Sequence, residues 1–297
     1  MSADDRSNVP QLLAKSWPRG AELTFLKLGG SLITDKTQEA VARQEVIDRV
    51  AGEIAEARRQ RPDLVLVLGH GSGSFGHPCA ARYRVDAGYL ADWWGYAETA
   101  AAAQRLNRLV ADALLRQGVP AVSVQPSASA RAIGGRLVAL DSETVRTLLR
   151  RGLVPLLYGD VALDDAQECA IISTEEIFRL LAQRLRPRRV IEVGAVDGVY
   201  AGECGSVVDV IHSGNAAHVL GSLGETRGVD VTGGMLSKVQ LLLEMARVVP
   251  GLEGRIISGM RPGLVTRVLV DPVVRAGTRV VWTPEVSATQ APARKRE

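Results

Sequence analysis

The stretch "GHGSGSFGHP", residues 69–78, follows an unbroken apolar run at residues 64–68 and carries glycine at 69, 71, 73 and 76. Glycine has no Cβ, so backbone N–H groups can approach an anion closely, and a helix that begins there adds unpaired donors and a favourable dipole. In an open α/β sheet, ligands bind beyond the carboxyl ends of the strands. The stretch therefore predicts an anion site at the end of a buried strand.

Strand-like and helix-like segments alternate along the rest of the chain. Apolar runs bounded by glycine, proline or aspartate predict strands at residues 23–28, 64–68, 121–124, 154–158, 190–193, 255–257 and 278–282. Helical periodicity predicts helices at residues 40–59, 98–117, 142–150, 175–185 and 235–248. This alternation predicts an α/β fold, with a mostly parallel sheet covered by helices on both faces.

Composition narrows the class of protein. The 297 residues are 46% hydrophobic with a formal net charge of +3, which supports a large packed core and gives no broad basic face for nucleic acid. Three cysteines lie far apart (Cys79, Cys169, Cys204), without the close pairs of a zinc site or a disulfide framework. No apolar stretch is long enough for a signal peptide or a membrane span, so we expect a cytoplasmic protein. Residues 1–20 and 286–297 lack apolar periodicity, and we expect them to be mobile tails.

Four glycine-bearing segments are predicted as loops at the ligand-binding edge. They are "KLGGSLITDK" (27–36), "GHGSGSFGHP" (69–78), "YGDVALDD" (158–165) and "GVDVTGGMLSK" (228–238). Lysine occurs only at positions 15, 27, 36, 238 and 295, and three of these five flank the glycine segments. Lys27 ends a buried strand, where an uncompensated ammonium is costly, so an anionic partner is expected. Several such loops together indicate a ligand with several phosphates, or two phosphorylated ligands.

Other interpretations of these segments fit the sequence less well. Gly71, Gly73 and Gly76 fit G-x-G-x-x-G, but no acidic residue ends a next strand about 20 residues on to hold a ribose. Neither a nucleophile elbow nor a Walker loop is present. A glycine pair such as that in "KLGGSL" also suits a plain tight turn. His70 is interpreted as structural, whereas His77 is expected to donate a hydrogen bond to a phosphate oxygen.

Six motifs in order resemble the amino acid kinase superfamily and, within it, the isopentenyl phosphate kinases. They are "KLGGSLITDK", "HGSGSFGHP", "GVPAVSVQPS", "VPLLYGDVALDD", "VDGVY" and "DVTGGMLSKV", and the resemblance runs over residues 23–282. "GSFGH" is the specific part and is shared with fosfomycin kinases. The resemblance implies a three-layer αβα sandwich in one domain (21–285), with an acceptor-binding lobe (about 21–186) and an ATP-binding lobe (about 187–285). It also implies transfer of the γ-phosphoryl group of ATP, with Mg²⁺, to isopentenyl phosphate in a homodimer.

The resemblance also implies roles for particular residues. Lys27 would contact the transferring phosphates together with Gly29, Gly30 and Ser31. His77 would hold the acceptor phosphate together with Ser72, Gly73, Gly76 and Thr174. Gly234, Lys238 and also Gly73 would bind ATP, and Asp197, Gly198 and Tyr200 would line the pocket of its nucleoside. Lys36 would be a further cation near the phosphates. No protein residue is expected to be a metal ligand.

Two departures from the family pattern leave the acceptor open. Ser173-Thr174-Glu175 stands where such families read Ser-Gly-Asp, and residues 194–198 ("GAVDG") stand where they read Thr-Asp-Val-Asp-Gly. Glu175 could still orient the lysines. The alternatives are a phosphonate kinase of the fosfomycin type and a non-catalytic sensing module of the same fold.

An apolar acceptor tail would need an apolar wall. The segments at residues 93–109 and 127–133 are expected to supply it, with Trp93, Trp94 and Tyr96 as a wall or as a buried core cluster.

Overall fold

The computed structural model describes residues 21–90, 92–201, 205–225 and 234–283. Its central feature is an eight-stranded sheet. In chain order its strands are β1 (Leu23–Leu28), β2 (Val65–His70), β3 (Ala121–Ser123), β6 (Val154–Tyr158), β9 (Arg189–Gly194), β12 (Val210–Ile211), β13 (Glu253–Ser258) and β14 (Thr278–Val280). They lie in the order β12-β14-β13-β9-β1-β2-β6-β3, and every neighbouring pair is parallel except β13 with β14. The predicted mostly parallel sheet is confirmed.

Helices cover both faces of this sheet. They are α1 (Gly30–Ile33), α2 (Gln44–Gln60), α3 (Gly73–Arg82), α4 (Trp93–Arg116), α5 (Ser142–Arg150), α6 (Thr174–Leu185), α7 (Ala216–Glu225), α8 (Gly234–Val248) and α9 (Leu264–Val270). On one face Leu26 of β1 packs in a core with α2, α4 and α9. On the other face Phe25 packs in a core with α5, α6, α7 and α8, and its ring lies 4.9 Å from that of Phe178. The three-layer αβα sandwich is confirmed.

The register of the sheet brings three positions side by side at its carboxyl edge. Lys27 of β1 is paired with Gly69 of β2 on one side and with Glu192 of β9 on the other. Side chains alternate along a strand, so Lys27 lies on the same face as Phe25, toward α6 and α8. The register therefore places the Lys27 ammonium directly below the space at the carboxyl edge of the sheet.

A smaller sheet corrects one of the loop predictions. Strands β4 (Arg131–Ile133), β5 (Arg136–Ala139), β7 (Asp160–Asp164) and β8 (Cys169–Ile172) form a sheet in the order β5-β4-β7-β8. The segment 158–165 was expected to be a glycine loop, but most of it is β7, which pairs antiparallel with β8 and buries Val161 and Ala162. A separate hairpin pairs β10 (Tyr200–Ala201) with β11 (Ser206–Val207).

Helix boundaries differ from those predicted wherever a cap or a glycine decides them. In the glycine stretch 69–78 only Gly71 and Ser72 form a loop, because β2 runs to His70 and α3 begins at Gly73 and contains Pro78. Helix α4 begins at Trp93, earlier than the expected residue 98, because the Asp92 carboxylate accepts a hydrogen bond from the Trp94 N–H and caps it. Periodicity did not predict α1, α3, α7 or α9.

The remaining predictions about the chain's organisation concern its ends and lobes. The expected mobile tails, residues 1–20 and 286–297, lie outside the described residues.

The lobe boundary near residue 186 stays a prediction, since one continuous sheet runs through both proposed lobes. Among the helices in the described ranges, none is both long and apolar enough to cross a bilayer.

Candidate active site

A cavity of about 470 Å³ opens above the carboxyl ends of β1 and β2. Segments from both halves of the chain line it, including the starts of α1, α3, α6 and α8. It brings together most of the predicted site residues, namely Lys27, Gly29, Gly30, Ser31, Lys36, Ser72, Gly73, His77, Thr174, Gly234 and Lys238. Three of the four glycine segments therefore converge as predicted, and the fourth contributes Gly159.

Close backbone contacts between the first two glycine segments shape the cavity. A Cβ on Gly30 would lie 2.7 Å from the backbone nitrogen of Gly73, and one on Gly71 would lie 2.9 Å from that of Gly30. Thr34 joins the segments, because its hydroxyl donates to the Gly30 carbonyl at 2.7 Å and accepts from the Ser74 N–H at 3.0 Å. The starts of α1 and α3 are thus locked together at the cavity wall. The first N–H groups of a helix have no intrahelical acceptor, so such an arrangement suits an anion.

Lys27 lies at the cavity floor and is only 3% exposed. Its Nζ is ion-paired to Glu175 of α6 and lies 3.2 Å from Oε2 of Glu192. Burial by itself lowers the pKa of the ammonium, but the two carboxylates outweigh burial and hold that pKa above its ordinary value. The anionic partner expected for Lys27 is therefore present within the protein.

The two carboxylates are not equivalent. Burial raises the pKa of Glu175, but Lys27 and Lys238 outweigh it, so the pKa is lowered and this group is ionised. Burial raises the pKa of Glu192 to about 7, and the nearby charge of Glu175 adds to this effect. Sequence reasoning missed Glu192. The available signal was a glutamate inside the apolar run "RVIEVG" of a buried strand (residues 189–194).

Three further cations or potential cations surround the cavity. His77 lies one turn into α3 and is open to the cavity, while Lys36 at the rim and Lys238 of α8 also line it. The surrounding walls desolvate the His77 imidazole, and together with Lys36 they lower its pKa, which favours the neutral ring before an anion arrives. Within the described part of the chain, neither Lys36 nor Lys238 forms an ion pair, so both are available to a ligand.

His70 has the structural role that we expected. It is fully buried, stacks on Tyr158 with ring centroids 5.6 Å apart, and has its Nε2 3.2 Å from Oδ1 of Asn107. Burial lowers the pKa of His70 to about 4, so the ring is neutral at physiological pH. Its backbone carbonyl accepts a 2.7 Å hydrogen bond from the Thr174 hydroxyl, which positions the start of α6.

The nucleoside-site residues predicted from the resemblance lie outside the main cavity. Asp197 is hydrogen-bonded to Arg261 at 2.5 Å and lines a separate cavity of about 760 Å³. Gly198 packs against Val207 and Thr278, and Tyr200 lies in the β10–β11 hairpin. Their roles at the nucleoside stay predictions.

A second cavity, of only about 10 Å³, lies behind His77. It is lined by Ser72, Gly76, His77, Ala80, Thr99, Ala103, Gly159, Asp160 and Ile171. The predicted aromatic wall does not line it, since Trp93 and Trp94 are 54% and 63% exposed and Tyr96 packs against the buried cluster that contains Val161 and Cys169. Helix α4 instead presents Thr99 and Ala103, because its small residues come closest to α3.

Comparison with known proteins identifies the family. The family model described as "Amino acid kinase family" matches residues 22–258. The isopentenyl phosphate kinase of Methanothermobacter thermautotrophicus is 39% identical over 87% of this chain and 98% of its own length. The chain belongs to the isopentenyl phosphate kinase family. The enzyme of that name from Methanocaldococcus jannaschii is 34% identical over 74% of this chain and 86% of its own length.

Solved structures agree with this family assignment. A crystal structure of an isopentenyl phosphate kinase superposes with a TM-score of 0.73 at 35% identity, covering 86% of this chain and 99% of that one. Glu175, at a departure from the family pattern noted in the sequence, reaches Lys27 from the start of α6. Gly194 keeps a backbone role, since its carbonyl accepts a 2.7 Å hydrogen bond from the Gly259 N–H.

Gly73 provides a direct test of the cavity wall. Its φ is +50° and an added Cβ would overlap the Thr34 hydroxyl, whereas Gly152 has a φ of +76° and open space around it. We expect Gly152→Ala to cost only the left-handed strain of about 1–2 kcal/mol. Gly73→Ala should cost more and should also weaken nucleotide binding, as measured by urea unfolding and by calorimetric titration. Equal effects of the two variants on both measurements would contradict this description of the wall.

Proposed function

We propose that this chain transfers the γ-phosphoryl group of ATP to the phosphate of isopentenyl phosphate, giving isopentenyl diphosphate and ADP. The observation that carries the proposal is the convergence of Lys27, Lys36, Lys238 and His77 on one cavity with four helix starts in its wall. Its family relatives bear the name of this activity. A strongly anionic ligand, or a pair of such ligands, would bind to these cations and N–H donors together.

The chemistry required is positioning and neutralisation of charge. The bond between the γ-phosphorus and the β,γ-bridging oxygen breaks as an oxygen of the acceptor phosphate forms a new P–O bond, and the electron pair leaves on ADP. Two anions must approach end to end, so the lysines and the imidazole lower the repulsion between them. A general base is not needed, because a phosphate monoester is largely ionised near neutral pH.

We assign the two substrates to opposite ends of the cavity. The nucleotide phosphates would lie against Lys27, Lys238 and the start of α1, and the acceptor phosphate against His77 and the start of α3. His77 would donate a hydrogen bond to the acceptor, and the arriving phosphate would raise the pKa of the imidazole and favour its charged form.

The residues of the site fit Mg²⁺ held mainly by phosphates. Among the described residues there is no group of three histidine, cysteine or acidic side chains that could hold a metal ion. Glu175, the acid closest to the lysines, is already ion-paired. Mg²⁺ commonly binds substrate phosphates and water with few protein ligands, and it supplies charge neutralisation when bound.

The choice of an alkyl acceptor over a compact polar one rests on the family relatives, and the small cavity behind His77 supplies only a partly apolar wall. Ala80, Ala103 and Ile171 contribute apolar surface there, and Asp160 is its only acidic group within the described residues. Two backbone N–H groups already donate to the Asp160 carboxylate, from Ser127 at 3.0 Å and from Val161 at 2.9 Å. A short apolar tail attached to a phosphate at His77 would extend toward this wall, and the cavity of about 10 Å³ would have to widen to hold it.

The cytoplasmic location and the homodimer stay predictions.

A coupled assay of ADP release separates the candidate functions. We expect turnover with isopentenyl phosphate, none with fosfomycin, and only background hydrolysis of ATP without an acceptor. Preferred turnover of fosfomycin would establish the phosphonate kinase instead. Nucleotide binding without turnover of either acceptor would establish the sensing module.

Two variants test the assigned ends of the cavity. Lys27→Ala should lower kcat by about 100-fold or more, because a charge aimed at the transferring phosphoryl group is lost. His77→Ala should raise the acceptor KM by about 10-fold or more while changing the nucleotide KM little, because a hydrogen bond to a charged group is lost.

His218→Ala, on an exposed histidine of α7, is the matched control and should leave both constants unchanged. Wild-type kinetics in both site variants would refute the assignment.

A further inference from the structure

At the floor of the cavity two carboxylates lie against a single ammonium, that of Lys27. Glu175 alone would neutralise Lys27, yet Glu192 also lies 3.2 Å from the same ammonium. The Glu192 side chain is only 3% exposed, and it lies beneath the cavity rather than in its lining. Its second oxygen, Oε1, is buried without a hydrogen-bond partner. An unsatisfied carboxylate oxygen in such a place is costly, so it calls for an explanation.

The neighbours of Glu192 define its electrostatic environment. In the sheet it lies between Lys27 of β1 and the apolar Ile256 of β13. The charged groups that act on it are Lys27, Glu175 of α6 and Lys238 of α8. With both glutamates ionised, Lys27, Glu175 and Glu192 together carry a net charge of −1 below the proposed nucleotide phosphates, and the nearby Lys238 is itself assigned to those phosphates. That charge would oppose nucleotide binding.

We propose that Glu192 is a positioning residue that anchors Lys27 and takes up a proton when the nucleotide phosphates bind. The proton comes from the solvent buffer and adds to the Glu192 carboxylate, which leaves the cluster of Lys27, Glu175 and Glu192 neutral. A neutral Glu192 still accepts a hydrogen bond from Lys27, so the ammonium stays anchored while its charge becomes available to phosphate. This inference rests on the nucleotide site of the proposed function.

The sign of the pH effect follows from the state of Glu192 before binding. Burial raises the pKa of Glu192 to about 7, so the group is mostly ionised at pH 8 and mostly protonated at pH 6. An approaching polyanion raises the pKa further. If only the protonated form binds nucleotide, Kd for Mg-ATP rises about tenfold between pH 6 and pH 8, and binding at about pH 7.5 takes up roughly three-quarters of a proton.

Calorimetric titration of the full chain with Mg-ATP, without acceptor, measures both quantities. Titrations at about pH 7.5 in PIPES and in Tris, which differ in ionisation enthalpy, give the number of protons taken up. Glu192→Gln should abolish the uptake, make Kd nearly independent of pH, and bind Mg-ATP up to tenfold more tightly than wild type at pH 8. Glu56→Gln makes the same chemical change on the surface of α2 and should behave as wild type.

A pair of variants separates anchoring from the proton. Glu192→Gln keeps an oxygen for Lys27, so its kcat should lie within about threefold of wild type. Glu192→Leu removes that oxygen and should lower kcat at least tenfold, with circular dichroism and thermal melting used to confirm that it folds. If Glu192→Leu fails to fold, the Glu192→Gln titrations alone decide the proposal.

Two results would overturn this inference. One is a proton uptake that persists in Glu192→Gln but disappears in His77→Asn, which would make His77 the proton acceptor. The other is a wild-type Kd that does not change between pH 6 and pH 8. Both results are measured by nucleotide binding without an acceptor. A failure of the proposed function would instead appear as absent turnover of isopentenyl phosphate by the wild-type protein.

Discussion

The placement of one buried ammonium, that of Lys27, governs the rest of the site. Desolvation makes a lone lysine at the end of a central strand unfavourable, and the structure meets that cost with carboxylates from two directions, β9 and the start of α6. Because these elements belong to different parts of the chain, the ion pairs also fix where β9 and α6 lie relative to β1. The same contacts leave Lys27 at the floor of a cavity, where a phosphate can compete for it.

The wall of that cavity depends on a second constraint, the close approach of two glycine segments. Gly30, Gly71 and Gly73 are in contact through their backbones, and Thr34 holds them in place through two hydrogen bonds. This contact brings the starts of α1 and α3 together, and with them the nucleotide and acceptor ends of the site. Cations on the floor and the rim, together with N–H groups in the wall, surround the point at which two anions would meet.

Much of the fold and of the site could be predicted from the sequence. Buried parallel strands give unbroken apolar runs, so β1 and β6 were predicted with their observed bounds, and strand–helix alternation indicated the layers. Glycine and lysine clustering indicated the cavity, because few other functions need small residues beside compact cations. The segment at 158–165 was misinterpreted, since the same glycine and aspartate residues that mark a loop also flank the short strand β7.

The positions of individual side chains were harder to predict from the sequence than the fold. Glu192 could not be assigned from its sequence, because only the register of β9 against β1 brings it beside Lys27. Trp93 and Trp94 were expected to form a binding wall or a buried cluster, but their helix turns them toward solvent and its small residues toward His77. Both outcomes depend on tertiary packing, which composition and periodicity do not encode.

The most direct test is a crystal structure of this chain with a non-hydrolysable ATP analogue and isopentenyl phosphate bound together. The γ-phosphate should lie within hydrogen-bond distance of the ammonium groups of Lys27 and Lys238, and the acceptor phosphate within hydrogen-bond distance of the imidazole of His77. Phosphates bound instead in the separate cavity beside Asp197 and Arg261, with Lys27 still enclosed by its two carboxylates, would contradict the proposed site.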